Sequence, residues 1–151
     1  MTAGYSGTPL PKKLGIKDGH RVALVGAPEG FDRTLGMLPP GVRVGSGLRG
    51  GGRGAGWDVI VCFLTKRSEL DRRFAALARA LEPDGGLWIA WPKGTSKVAT
   101  DVNENTVREV ALSSGLVDNK VCAIDETWSG LRLVYRVEDR PRVGATARRR
   151  R

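Results

Sequence analysis

The chain has 151 residues, 40% of them hydrophobic, and its 25 Lys and Arg against 16 Asp and Glu give a formal net charge of +9, which suits one folded domain and excludes a disordered or fibrous chain. Two cysteines, Cys62 and Cys122, and one histidine, His20, exclude a disulfide scaffold, a zinc centre built from thiolates and a multi-histidine metal site, so no metal is expected. The longest apolar run, Val59 to Leu64, is far short of the ~20 residues of a membrane span, and Met1 to Gly7 lack the basic-then-apolar pattern of a secretory signal, so a cytoplasmic location is expected.

Residues 1–13 are rich in Gly, Pro, Ser and Thr and predict an extended N-terminal arm ahead of an α/β domain over 14–139. Arg21 to Gly26 follows the turn signal Asp18-Gly19 and predicts a short buried strand. Pro28 is placed to open a helix, with Phe31, Leu35 and Leu38 on one face and Pro39-Pro40-Gly41 as its stop. Val42 to Val44 is a candidate second strand. Seven of the twelve residues 45–56 are glycine, which predicts a flexible loop.

Asp58 to Leu64 is almost continuously apolar, as a strand covered on both faces should be. Ser68 and Asp71 have capping-box spacing and open a helix whose apolar face is Leu70, Phe74, Leu77, Ala78 and Leu81. Gly86 to Trp91 predicts another buried strand, ended by Pro92. Asp101 and Glu104 repeat the capping-box spacing before a helix through Val107, Val110 and Ala111 that Gly115 closes. Val121 to Ile124 and Leu131 to Val137 predict an antiparallel hairpin, with Arg132 and Arg136 on its wetter face. This order predicts a single three-layer, Rossmann-like α/β domain whose mostly parallel sheet ends in the hairpin.

Residues 140–151 hold Arg140, Arg142 and Arg148 to Arg151 and no acid, and predict a disordered basic tail. Such a run reads either as a polyanion-binding arm, through which Arg148–Arg151 would reach nucleic acid, or as a solvated terminus.

The stretches GYSGTPLPKKLGIKDGHRVALVGAPEGF (4–31) and TDVNENTVREVALSSGLVDNKVCAIDETWSGLRLV (100–134) resemble a family of bacterial proteins of unknown function. Leu14 to Gly26 also resembles the start of the first strand of Rossmann-type S-adenosylmethionine methyltransferases, and Asp58 to Cys62 their fourth strand. Leu81-Glu-Pro-Asp-Gly-Gly-Leu-Trp-Ile89 is similar to the turn into their fifth strand, and the hairpin to the antiparallel strands that end their sheet. The resemblance implies their fold. It departs from them at the cofactor loop, where Leu24 stands in the acid's position and Pro28 in the middle glycine's, leaving Gly26 and Gly30. The acid that would accept ribose hydroxyls after the second strand is missing around Val44 to Ser46, and the glycine run replaces the third strand. These departures imply a scaffold that binds no S-adenosylmethionine and needs no cofactor, since each lost ionic hydrogen-bond partner costs ~1.5–3 kcal/mol.

Open parallel sheets bind ligands at the C-terminal ends of their strands. That edge would collect Gly26, Gly30, Lys66, Arg67 and Lys93, a set suited to an anionic, nucleotide- or phosphate-like ligand. Asp125 and Glu126 sit at the hairpin, as strand neighbours facing opposite ways or as turn residues with Ser129-Gly130. Trp128 beside them is a contact anchor at the tip or packing across the strand ends. Cys62 and Cys122 read as core thiols, and no nucleophile–base pair is evident. The expectation is a non-catalytic interaction or regulatory module with a protein partner. The alternatives are a binding protein or small enzyme for an anionic ligand, and a nucleic-acid binder acting through the tail.

Overall fold

Because successive strand residues face opposite sides, an unbroken apolar strand needs a helical layer on each face, and the elements supply both. The computed structural model describes residues 7–48 and 56–143. Six strands, β1 (Arg21–Val25), β2 (Arg43–Ser46), β3 (Trp57–Phe63), β4 (Leu81–Pro92), β5 (Leu116–Ala123) and β6 (Trp128–Tyr135), form one sheet in the order β2-β1-β3-β4-β6-β5. The first four run parallel, and β6 joins β4 and β5 antiparallel. The helices are α1 (Leu10–Lys13), α2 (Phe31–Leu35), α3 (Arg67–Arg79) and α4 (Glu104–Ser113). The mostly parallel α/β sheet with an antiparallel end is thus present as expected. No helix among the described residues is long and apolar enough to cross a membrane.

On one face Leu70, Phe74 and Leu77 of α3 and Val107, Val110 and Ala111 of α4 pack on Ile60 and Cys62 of β3, Leu87 and Ile89 of β4, and Leu131 and Leu133 of β6. On the other, Leu10, Leu14, Ile16, Phe31 and Leu35 pack on Val59, Val61 and Phe63 of β3 and Trp88 of β4. Trp88 is fully buried, and its indole N–H donates to the Leu14 carbonyl at 3.0 Å. That satisfies the one polar group such a ring carries into a core.

Several boundaries differ from the sequence reading. Residues 10–13 form α1, with Leu10 and Lys13 buried, where an extended arm is expected; residues 1–6 lie outside the described residues. Helix α2 starts at Phe31 after Gly30, not at Pro28, whose carbonyl accepts the Phe31 N–H at 3.1 Å. Strand β2 runs to Ser46, into the glycine-rich stretch, of which 49–55 lie outside the described residues. Ser68 does not cap α3, which opens at Arg67, because Asp101 supplies the acceptor from another loop. Asn103, not Asp101, caps α4, its side chain accepting the Thr106 N–H at 3.0 Å. Strand β5 begins at Leu116 rather than Val121: as an edge strand it tolerates the polar Asp118-Asn119-Lys120, where its pairing is irregular. Strand β6 starts at Trp128, so Ser129 and Gly130 are strand residues rather than turn residues.

Candidate functional site

The strand order reverses beside β1, and the C-terminal ends of β1 and β2 enclose a cleft of about 450 Å³. Gly26 turns the chain out of β1 at φ 69°, a conformation that favours glycine, and a Cβ there would stand a tight 3.1 Å from the Phe63 carbonyl. Gly30, at φ 81°, leads into α2. Leu24, Ser46 and Gly47 form the far wall, the Gly47 N–H donating to the Leu24 carbonyl at 2.8 Å. Asp32 is the one carboxylate in the described lining.

Of the residues expected at this edge, Gly26 and Gly30 line the cleft; Lys66, Arg67 and Lys93 do not. Lys66 is exposed at the start of α3. The Arg67 backbone N–H donates to Asp101 Oδ1 at 2.7 Å, and its guanidinium pairs with Asp71 at 3.3 Å and Glu109 at 3.7 Å. The chain's own carboxylates therefore occupy the positive end of α3. Lys93 lies in the loop after β4, its N–H donating to the Thr127 carbonyl at 2.8 Å. Farther along that loop Thr100 Oγ1 donates to the Thr65 carbonyl at 2.7 Å, and Val102 is buried, so the loop covers the end of β3.

Asp125, Glu126 and Trp128 come together at the β5–β6 turn. Asp125 Oδ1 accepts the N–H groups of Thr127 and Trp128, both at 2.8 Å, which makes it a turn former, and Glu126 is exposed. The half-buried Trp128 ring meets Phe63 edge-on at 5.1 Å, and Phe63 meets Phe31 at 4.9 Å, so an aromatic row crosses the strand ends. Arg140 and Arg142 lie on a helical turn after β6, whereas Arg148–Arg151 lie outside the described residues.

Cys62 is fully buried in β3, and burial above all, then the nearby Glu69, pushes its thiol up to about 12 against the lowering influence of Arg73. Burial also raises Cys122, against Lys13 and Lys120. Neither thiol is placed to act as a nucleophile. No group of three or more possible metal ligands gathers among the described residues.

The opposite edge of the sheet carries a cluster that sequence reasoning missed. Lys17, His20, Asp58, Asp84 and Arg132 line one cavity there, drawn from the turn before β1, the start of β3, the irregularly paired start of β4 and the middle of β6. The Gly85-Gly86 pair, read only as part of a turn into a strand, was the available signal: side chains there would collide with Asp58 backbone and with Arg132.

Residues 12–137 match a family described as a protein of unknown function, DUF3052. No curated protein matches the chain. Among solved structures the chain is similar to magnesium protoporphyrin IX methyltransferase from Synechocystis PCC 6803 with bound SAM, at 13% identity and TM-score 0.52, covering 79% of this chain and 71% of that one. It is similar to a SAM-dependent methyltransferase from Aquifex aeolicus, at 18% identity and TM-score 0.52, covering 81% and 85%. It is also similar to fibrillarin from Aeropyrum pernix with natively bound S-adenosyl-L-methionine, at 12% identity and TM-score 0.52, covering 87% and 70%. At these identities the likeness establishes the fold, which is Rossmann-like and shared with methyltransferases.

Proposed function

The chain belongs to the DUF3052 family, proteins of unknown function, and on that premise we propose that it is a non-catalytic interaction module on a methyltransferase-like scaffold, one that holds a protein partner and binds no S-adenosylmethionine. The observation that carries this reading is the make-up of the cleft at the ends of β1 and β2. Its β1 wall is Leu24, its β2 wall is Ser46 with Gly47 just after the strand, and Asp32 on α2 is its single described carboxylate. A cofactor with an ammonium and two ribose hydroxyls needs acceptors at those strand ends, and unpaired polar groups there would cost more than the contact returns.

The partner side of the reading rests on an open apolar groove of about 1030 Å³ between α1 and α2. Leu10, Ile16, Leu35 and Leu38 line it with Met37, which is 94% exposed, and Lys12 and Lys17 outnumber Asp18 among its charged residues. Exposed apolar surface of this kind marks contact with another macromolecule. The lysines favour an apolar segment with acidic flanks, of the kind a groove between helices receives.

Calorimetric titration with S-adenosylmethionine and S-adenosylhomocysteine tests the first half: no saturable heat is expected, and micromolar binding of either would overturn it. Peptide-display selection on the folded protein tests the second. Selected peptides should pair apolar anchors with Asp or Glu flanks and should lose binding to Met37→Glu, an exposed change that leaves the core intact. Selection that yields no binder, or binders indifferent to Met37→Glu, removes the groove from the reading.

A further inference from the structure

The cavity at the N-terminal edge of the parallel strands holds about 120 Å³. Arg132 reaches it from β6 by lying across backbone that has no side chains. A Cβ at Gly86 would stand 2.7 Å from its Cζ and Nη2, and one at Gly15 would be 4.0 Å from its Nε. Arg132 Nε is buried with no hydrogen-bond partner, and the guanidinium makes no ion pair among the described residues. A cation half out of water with no counter-charge is costly and calls for a partner.

The remaining walls say what that partner carries. Lys17 and Arg132 are balanced by Asp58 and Asp84, so a bare anion would meet two carboxylates and a bare cation two basic groups. Asp58 Oδ2 accepts the Arg21 backbone N–H at 2.8 Å, which fixes the carboxylate and leaves Oδ1 without a hydrogen-bond partner among the described residues. His20 Nδ1 accepts the Lys17 N–H at 3.1 Å, which leaves Nε2 as the donor of the neutral ring. A ligand gains from both halves only if it carries separated positive and negative ends. At ~30 Å³ per water the cavity holds the equivalent of about four waters, the scale of glycine, alanine or serine.

From this we infer that the cavity binds a small free amino acid, its carboxylate on the Arg132 guanidinium and its ammonium on Asp58 and Asp84. Burial and then the neighbouring Arg140 charge lower the hold of Arg132 on its proton, and a bound carboxylate restores it. The site lies at the opposite sheet edge from the cleft of the proposed function, shares only Lys17 with the groove, and stands whether or not that reading does.

The test is NMR titration of the full chain with glycine, L-alanine and L-serine, beside acetate and methylammonium as single-charge probes. Saturable shifts of the Gly15, Gly85 and Gly86 amides are expected with at least one amino acid at millimolar concentration and with neither single-charge probe. Arg132→Met and Asp84→Asn should each weaken binding roughly tenfold or more, the loss of one charge-assisted hydrogen bond. Asp84 is exposed, so its variant keeps the test decisive if Arg132→Met fails to fold. Absence of shifts with all three amino acids overturns the proposal. So does binding unchanged in Asp84→Asn, or acetate or methylammonium binding as tightly as the amino acid, which would mark a simple ion site.

Discussion

At the scale of one residue, Cys62 shows what a doubly covered strand does to a polar atom. Its side chain faces α3 in the larger core cluster, and burial pushes its thiol from the usual 9.0 up to about 12. Because the folded-state value is the raised one, the folded protein keeps the proton that the unfolded chain releases. The resulting stability is full below pH 9 and is lost as the pH rises from there to about 12. Across that window Cys62 contributes a loss of up to about tenfold in the folding equilibrium per pH unit. Chemical denaturation at stepped pH should show a steeper alkaline decline in the wild type than in Cys62→Ala; parallel declines would mean that the thiol is not shielded. The same shielding predicts that thiol reagents modify Cys62 only as fast as the protein unfolds.

At the scale of elements, the start of α3 shows how far a local pattern can be trusted. Ser68 and Asp71 have capping-box spacing, yet Asp101, 34 positions from Arg67, provides the acceptor. Asp101→Ala should cost about 1 kcal/mol, the usual value of such a cap, which for a chain of this length lowers the melting temperature by about 2–4 °C. Ser68→Ala should change it little; the reverse order of effects would restore Ser68 as the cap. The same contrast separates what was legible in the sequence from what was not. β1 and β3 announce themselves because burial on both faces demands unbroken Val, Ile and Leu, and the apolar faces of α3 and α4 follow from period alone. The first half of β5 hides because an edge strand accepts Asp118, Asn119 and Lys120 at the cost of only a register shift in its pairing to β6. Gly26 and Gly30 were legible as the glycines left from the methyltransferase-like loop, and both take positive φ after β1. Arg132 reads locally as the wet side of a hairpin strand. Only the sheet order, which puts β6 beside β4 and β4 beside β3, brings it to a cavity with Asp58 and Asp84.

For the whole molecule the instructive segment is α1, four residues that tie one end of the chain to the middle of the sheet. The Leu14 carbonyl after it takes the Trp88 N–H from β4, and the Lys13 carbonyl takes Lys120 Nζ from β5 at 2.9 Å. Leu10, 7% exposed, joins the core that also holds Phe31, Phe63 and Trp88. Among the described residues this face of the sheet has only the short α1 and α2 over it, so a methyl lost there is not replaced by a neighbouring long helix. Leu10→Ala should therefore behave as a core truncation, costing about 2–5 kcal/mol and lowering the melting temperature by roughly 5–15 °C. A residue in an extended arm would give a change near zero. Leu10 also floors the groove between α1 and α2, so the same substitution should weaken whatever peptide Met37→Glu weakens, while Met37→Glu leaves the melting temperature nearly unchanged. If Leu10→Ala melts like wild type, α1 is no part of the core and the groove loses a wall. If it melts low and still binds, the groove is formed by α2 alone.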